Sequence, residues 1–90
     1  MEINHKILSL NSTPQNAVTR GNGHSMNTLS IQNISNSGNA YLGNSLVTTT
    51  NFGYKVCPGQ SFCIEMAFSN DIYAVGDSGV QIAVMEVHRT

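Results

Sequence analysis

Residues 72–88, with the sequence IYAVGDSGVQIAVMEVH, decide the fold class of this chain. Two apolar runs, 72–75 and 80–88, flank the segment 76–79, whose Gly-Asp-Ser-Gly sequence is typical of a tight turn. Both faces of the second run carry apolar side chains, with Val80, Ile82 and Val84 on one face and Ala83, Met85 and Val87 on the other. The pattern predicts two β-strands, and the second of them needs a cover on both faces.

The second cover of the strand at 80–88 has two candidates. A domain of 90 residues leaves much of its surface exposed, so its own core can cover only one face of this strand. Either an arm formed by the N-terminal residues or a neighbouring subunit can cover the other face. The sequence leaves both alternatives open.

The rest of the chain repeats this rhythm of short apolar runs separated by turn residues, which is typical of sandwiches and barrels. The run at 61–68 is predicted to line the core because its even-numbered residues, Phe62, Ile64, Met66 and Phe68, share one face. The predicted strands are 3–10, 17–20, 27–34, 40–42, 46–50, 54–57, 61–68, 72–75 and 80–88.

These patterns predict one all-β domain of the sandwich or barrel class. The fold we expect is a small antiparallel β-sandwich of jelly-roll-like type with an extended N-terminal arm. Residues 1–23 are assigned to the N-terminal strand and arm, and residues 24–90 to the β-sandwich core. The longest uninterrupted apolar run, 82–85, is far shorter than the roughly 20 residues of a membrane helix, so we expect no membrane partner.

The composition argues against nucleic acid as a partner. Charged residues make up 10% of the chain, and Lys6, Arg20, Lys55 and Arg89 are scattered along it. Binding to a phosphate backbone needs clustered positive charge, which this chain cannot build locally. A chain with so few charges also has little self-repulsion, which favours assembly with copies of itself or with a partner.

No arrangement of residues indicates catalysis. The carboxylates, which are Glu2, Glu65, Asp71, Asp77 and Glu86, include no pair at a spacing that suggests a general acid and base. We expect Glu65 and Glu86 to face solvent or an interface. The chain has no Gly-x-Ser-x-Gly motif, so we expect neither an enzyme nor a cofactor.

The histidines and cysteines do not form a metal motif. His5, His24 and His88 are far apart, and there is no His-x-His or Cys-x-x-Cys pair. We therefore expect no metal, and the remaining alternative is one histidine repeated around a three-fold axis of an oligomer.

The two cysteines are expected to stay reduced. Cys57 and Cys63 flank Pro58-Gly59, and a tight turn there places Cys57 near Gln60 and Cys63 near Tyr54 rather than near each other. The prediction is two small packed side chains and no disulfide.

Four aromatic residues raise the question of a sugar site. Tyr41, Phe52, Tyr54 and Tyr73 can form an aromatic patch of the kind that binds sugars. The alternative is that tyrosines in short strands lie at the core edge with their hydroxyls bonded to backbone groups. The absence of Trp favours this second interpretation.

Several short segments between residues 29 and 87 carry a resemblance. They are IQNIS at 31–35, AYLG at 40–43, VTT at 47–49, NFGY at 51–54, PGQS at 58–61 and IYAV at 72–75, together with Val56, Val84 and Glu86. This pattern resembles small virion proteins of tailed bacteriophages over about two-thirds of the chain. Phe52, between Asn51 and Gly53, departs from the pattern and leaves the local turn type open.

The resemblance implies a compact β-sandwich on the outside of a capsid, as a decoration or cement protein or the base of a head fibre. Such a protein would be made in the host cytoplasm, would sit on the capsid surface of the virion, and would have itself, as a homotrimer, and the major capsid protein as partners. We expect subunit or capsid contacts at Ile3, Ile7, Leu8, Leu10, Met85 and Val87. The alternative function is a tail or baseplate component that binds a host-surface carbohydrate.

Overall fold

The computed structural model describes residues 2–18, 26–67 and 71–89. Within these ranges the chain is all β, with no helix. Its eight strands are β1 (Glu2–Ser9), β2 (Gln15–Asn16), β3 (Met26–Asn33), β4 (Ala40–Gly43), β5 (Tyr54–Val56), β6 (Ser61–Ala67), β7 (Tyr73–Gly76) and β8 (Gln81–Arg89).

The strands form two antiparallel sheets that pack face to face. The first sheet has the order β1-β8-β3-β6, and the second sheet has the order β2-β7-β4-β5. Apart from β4 and β5, which are consecutive in sequence, the neighbours in each sheet are distant in sequence. At every connection except that from β4 to β5 the chain passes from one sheet to the other, as it does in a jelly roll of eight strands. The predicted fold class, a small antiparallel β-sandwich, is confirmed.

The core lies between the two sheets and is built by period-two alternation. Among the described side chains of β3, β4 and β8, every second residue is buried, whereas β7 buries three residues in succession, 74–76. The buried cluster contains Leu10, Ala17, Val18, Leu29, Ile31, Ala40, Leu42, Val56, Ala74, Val80, Ile82 and Val84, with Leu8, Phe62 and Ile72 packed against it. From the predicted core face of β6, Phe62 contacts this cluster and Ile64 is 38% exposed, while the side chains of Met66 and Phe68 lie outside the described residues.

The N-terminal segment is built into the sandwich over residues 2–18. β1 pairs with β8 along its whole length, and β2 pairs with β7. Leu10 continues the pairing, because its N–H donates to the Val80 carbonyl at 2.8 Å. Residues 2–18, which we expected to include an arm, therefore supply two strands and three core side chains, and the assigned boundary at residue 23 lies outside the described residues.

Two predicted strands differ from the structure. Ala17 and Val18, the described residues of the segment 17–20, lie in the core outside the assigned strands, although the Ala17 N–H donates to the Ile72 carbonyl at 2.8 Å. Residues 19 and 20 lie outside the described ranges. The segment 46–50 is a loop, because its polar groups bond locally. Thr48 and Asn51 exchange backbone hydrogen bonds of 2.8 and 3.3 Å, and the Thr48 hydroxyl accepts from the Asn51 N–H at 2.9 Å.

The turn at 57–60 leads from one sheet to the other. The Gln60 N–H donates to the Cys57 carbonyl at 2.9 Å, which confirms the predicted approach of Cys57 to Gln60, and both cysteines are free. The expected approach of Cys63 to Tyr54 is wrong, because β5 and β6 lie in different sheets. Cys63 instead lies opposite Ser30 of β3, whose hydroxyl donates to its Sγ at 3.6 Å.

Asn33, at the end of β3, is a buried hydrogen-bonding centre with no exposed surface. Its Nδ2 donates to the carbonyls of Val56 at 2.9 Å and Gly38 at 3.1 Å, and its Oδ1 accepts from the Ser35 N–H at 3.0 Å. Its backbone N–H donates to Gln60, and its carbonyl accepts from Gly59. One side chain thus joins β3 to the end of β5 and to the loop that enters β4.

Glycine is required at position 38 of that loop. Gly38 has a φ of +86°, a conformation that other residues rarely adopt. A Cβ atom there would also lie 2.7 Å from Cγ2 of the buried Val80. The predicted turn at 37–39 is therefore fixed by both backbone conformation and close packing.

Candidate interaction surface

The outer face of the first sheet carries most of the predicted contact residues. Alternation directs residues 3, 5 and 7 of β1 and residues 83, 85 and 87 of β8 away from the core. The strand register places Ile3 opposite Val87, His5 opposite Met85 and Ile7 opposite Ala83. We call the five apolar members of this set, Ile3, Ile7, Ala83, Met85 and Val87, the apolar stripe.

The apolar stripe is open to solvent in the single chain. Ile3 is 59% exposed, Ile7 is 55% exposed and Met85 is 45% exposed, whereas Ala83 and Val87 are half-buried. Because β1 lies beside β8 in the same sheet, it does not cover the outer face of β8. Of the two covers considered for β8, residues 2–18 do not provide one.

The other half of this face is polar. Thr28, Ser30 and Gln32 of β3 lie opposite Glu65, Cys63 and Ser61 of β6. Among the described side chains of this face, only Glu65 carries a formal charge at neutral pH. A depression of about 400 Å³ lies across the boundary between the two halves, and its lining includes His5, Ile7, Ser30, Gln32, Ala83 and Met85.

Two of the predicted contact residues face the other way. Leu8 packs against the core, and Leu10 is 4% exposed within it. The reason is the strand period, because residues 8 and 10 have the opposite parity to Ile3 and Ile7. The candidate surface therefore keeps Ile3, Ile7, Met85 and Val87 and loses Leu8 and Leu10.

Glu86 is also turned inward. It follows Ile82 and Val84 on the inner face of β8 and is 1% exposed, so the expectation that it faces solvent or an interface is wrong. Glu65, on the outer face of β6, is exposed as expected.

The outer face of the second sheet is closed by the chain itself. Val75 lies on this face, opposite Tyr41, yet it has no exposed surface. The segment 44–53, which we call the covering loop, contacts the same face at Tyr41 and Gly43. Its Val47 is 2% exposed and packs against Gly43, and its Phe52 ring lies 4.9 Å from the ring of Tyr41.

The four predicted aromatic residues do not form one patch. The strand register puts Tyr41 and Tyr73 on the outer face of the second sheet, where Phe52 contacts Tyr41. Tyr54 lies opposite Leu42 and faces inward, and its ring lies 4.8 Å from that of Phe62 across the gap between the two sheets. Beside this second pair is a cleft of about 350 Å³ lined by Leu42, Gly43, Asn44, Gly53, Tyr54, Phe62, Asp71 and Ile72.

The described residues gather no metal-binding cluster. Within residues 2–18, 26–67 and 71–89, no three His, Cys, Asp or Glu side chains are close enough to hold a metal ion. Asp77 is engaged in a turn, where its Oδ2 accepts from the Asn39 N–H at 3.1 Å. His24 and the side chain of His88 lie outside the described residues. The alternative of one histidine repeated around a three-fold axis stays a prediction.

Comparison with known proteins identifies no family. The chain matches no protein-family model, and no curated protein has a similar sequence. Over the described ranges, no helix is long and apolar enough to cross a membrane.

Proposed function

We propose that this chain is a structural virion protein that binds the outside of a bacteriophage capsid and stabilises it as an oligomeric decoration or cement protein. Three features support the proposal. The sequence resembles small virion proteins of tailed phages, the jelly roll is a frequent fold of viral capsid proteins, and one face of the sandwich carries exposed apolar residues.

The observation that carries the proposal is the unequal cover of the two sheets. On the outer face of the second sheet Val75 has no exposed surface, whereas Ile3, Ile7 and Met85 are exposed on the outer face of the first sheet. Contiguous exposed apolar residues on a small domain are typical of protein-protein contact sites. The few charges among the described side chains of this face suit burial against a partner, since the cores of interfaces are depleted in charged residues.

The mechanism of such a protein is binding alone. A subunit that binds the assembled shell better than free capsid subunits shifts the equilibrium towards the shell by mass action. Association into a homotrimer would place three binding surfaces on one particle, and their linkage raises the overall affinity without a strong individual contact.

The decisive test combines light scattering with co-sedimentation. The mass of the purified protein in solution gives its oligomeric state, and capsids that lack this protein provide the shells for sedimentation. The proposal predicts trimers that pellet with shells in a saturable manner. A monomer that stays in the supernatant at every shell concentration would contradict it.

Variants of the apolar stripe make the test specific. The double substitution of Met85→Asp and Val87→Asp should abolish both trimer formation and shell binding. Each stripe would then carry two negative charges, and these charges would repel one another where the stripes of neighbouring subunits meet in an apolar contact. The matched control is Leu46→Asp in the covering loop, where the leucine is 72% exposed. Equal loss of binding in both variants, or retention of binding in the stripe variant, would count against this surface.

The second candidate is a tail or baseplate component that binds a host-surface carbohydrate. The observation in its favour is the solvent-accessible Tyr54, 45% exposed, at the mouth of the cleft beside Phe62. It predicts glycan affinity without shell binding, so the same sedimentation experiment separates the two functions.

A further inference from the structure

The strand β1 forms one edge of the first sheet. Among the described residues, its single strand neighbour is β8. The pairing continues to Leu10, whose N–H donates to the Val80 carbonyl at 2.8 Å. Because bonded pairs alternate in an antiparallel ladder, residues 4, 6, 8 and 10 bond to β8. The N–H and carbonyl groups of residues 3, 5, 7 and 9 therefore point away from β8, along the edge of the sheet.

A side-chain bond at the end of β1 agrees with this alternation. Nε2 of Gln15 donates to the Ser9 carbonyl at 2.8 Å, so this carbonyl points away from β8 and is already bonded. Within the described ranges, the outward backbone groups of Ile3, His5 and Ile7 have no hydrogen-bond partner. We call residues 3–7 the open edge, and His5 lies at its centre.

The side chains of the open edge leave its backbone accessible. Those of Ile3, His5 and Ile7 are exposed on the outer face of the sheet and stand across the direction of strand pairing. A lysine that points inward guards an edge when an added strand would bury its charge without a partner. Lys6 does point inward, but its Nζ already donates to the Asn16 carbonyl at 3.4 Å.

We propose that two copies of this chain pair along the open edge about a two-fold axis at His5, with their β1 strands antiparallel. In this register Ile3 of each copy lies opposite Ile7 of the other, and the two His5 residues lie opposite each other. Each of these pairs exchanges two backbone hydrogen bonds, and the isoleucines form apolar cross-strand contacts. The result is one continuous sheet of eight strands, four from each copy.

The open edge fits a second copy because its sequence is symmetric about His5. Ile3 and Ile7 lie at equal distances from this residue, so a two-fold axis there places apolar side chains opposite each other. An axis at Lys6 would place two lysines directly opposite, which is unfavourable. An axis at Ile7 would place His5 opposite Ser9, whose carbonyl is already bonded.

This pairing goes beyond the proposed function. It uses the backbone of a sheet edge, whereas the trimer and shell contacts are assigned to side chains of the apolar stripe. A two-fold contact closes after two partners, so it would join trimers in pairs and would not enlarge the trimer. Pairing of two strands alone is marginally stable in water. We therefore expect trimers in dilute solution and edge pairing at high protein concentration.

The test is amide hydrogen exchange, measured by NMR at protein concentrations of about 50 μM and about 1 mM. The amides of residues 3, 5 and 7 should exchange at least about threefold more slowly at the higher concentration, because mass action shifts the chains into pairs. The amides of residues 4, 6 and 8 bond to β8 within one chain and should be protected at both concentrations. The measurement is repeated on the double variant Met85→Asp and Val87→Asp, in which the stripe contact is removed.

Two substitutions of His5 separate its backbone from its side chain. His5→Pro removes an N–H that points away from β8, and proline is tolerated at such positions of edge strands. His5→Val keeps this N–H and is the matched control. The slowing of exchange at residues 3 and 7 should be lost in His5→Pro and retained in His5→Val. Protection of the residue 4, 6 and 8 amides verifies that both variants keep β1 paired with β8.

Cysteine cross-linking tests the register independently. The native thiols are first removed by Cys57→Ser and Cys63→Ser. In this background His5→Cys places two thiols opposite each other at the axis, where the Cα atoms of a bonded pair are about 5.5 Å apart, a separation that a disulfide can span. Oxidation with copper phenanthroline should give mainly disulfide-linked dimers. Ser9→Cys, an exposed position on the same face of β1, is the matched control and should remain mainly monomeric.

Each outcome decides the proposal. Concentration-dependent protection of residues 3, 5 and 7 that persists in the stripe double variant supports it, as does efficient cross-linking of His5→Cys. Exchange that does not depend on concentration overturns it. Protection that is lost in the stripe double variant also overturns it, because the stripe contact would then be its cause. Cross-linking of Ser9→Cys as efficient as that of His5→Cys overturns the register. Shell binding in co-sedimentation tests the proposed function separately.

Discussion

The outer faces of the two sheets differ in how their apolar residues are covered. On the second sheet, Val75 has no exposed surface, and Val47 of the covering loop is 2% exposed. On the first sheet, Ile7 and Met85 are 55% and 45% exposed. A chain of 90 residues that closes one outer face and leaves the other open has apolar surface available for a partner on the open face.

The comparison also explains why apolar residues of similar type have different roles. Burying a Val side chain contributes about 1.5–3 kcal/mol to folding, and Val75 makes this contribution within the single chain. Exposed residues of the stripe contribute much less to the folding of one chain and can contribute to association instead. Substitutions on the two faces should therefore separate folding from assembly.

The largest expected effect is that of Val75→Asp on the closed face. The new carboxylate would be buried where the valine has no exposed surface, and such a substitution costs about 4 kcal/mol or more. We expect loss of the folded state, measured by circular dichroism and by urea denaturation. Met85→Asp on the open face is the matched control and should fold normally. A folded Val75→Asp protein with native stability would contradict the burial of Val75 on this face.

The next effect is that of Asn33→Ala, which acts on the interior shared by both sheets. It removes the donor to the Val56 and Gly38 carbonyls and the acceptor for the Ser35 N–H. Leaving buried polar groups unsatisfied costs about 1–3 kcal/mol each, so we expect a loss of about 3 kcal/mol in the free energy of unfolding. Gln32→Ala, at the exposed neighbour, should change it by less than about 0.5 kcal/mol. Equal stability of the two variants in urea denaturation would contradict the role of Asn33.

Alternation carried most of the sequence prediction. The buried apolar residues of β3, β4 and β8 were predictable because they recur at every second position, whereas β7 buries three consecutive residues. The same rule, applied strictly, separates Leu8 and Leu10 from Ile3 and Ile7 by parity. It also places Glu86 on the inner face with Val84, although charge alone argues for the surface.

Other features had no signal in the sequence. Val47 and the three threonines after it have strand propensity, but the side chains of Asn44 and Thr48 bond to nearby backbone groups and stabilise a loop. Asn33 is one of many asparagines, and its role depends on carbonyls that lie far away in sequence. The aromatic residues were identifiable, but their division between two faces depends on which sheet each strand joins.

A smaller effect is expected for Thr48→Ala in the covering loop. Its hydroxyl accepts from the Thr50 and Asn51 N–H groups at 3.2 and 2.9 Å, and loss of exposed hydrogen bonds of this kind costs about 1 kcal/mol. We expect faster hydrogen exchange of amides in the loop and at Val75, with the first sheet unchanged. Thr49→Ala is the control, at an exposed threonine of the same loop. Equal hydrogen-exchange rates in the two variants would show that the Thr48 side chain does not stabilise the covering loop.

The smallest effect on folding is expected for Ile7→Thr in the apolar stripe. Threonine retains the branched Cβ that suits a strand, and the isoleucine is 55% exposed, so the free energy of unfolding at low concentration should change by less than about 1 kcal/mol. The informative measurement is the dependence of Tm on protein concentration. An oligomer that assembles through the stripe has a Tm that rises with concentration, because the associated state binds folded chains only. Ile7→Thr should flatten this dependence, whereas Thr48→Ala should lower Tm equally at all concentrations. A Tm of the unaltered protein that does not depend on concentration would contradict self-association through the apolar stripe. The stripe would then be available only for a partner of a different sequence.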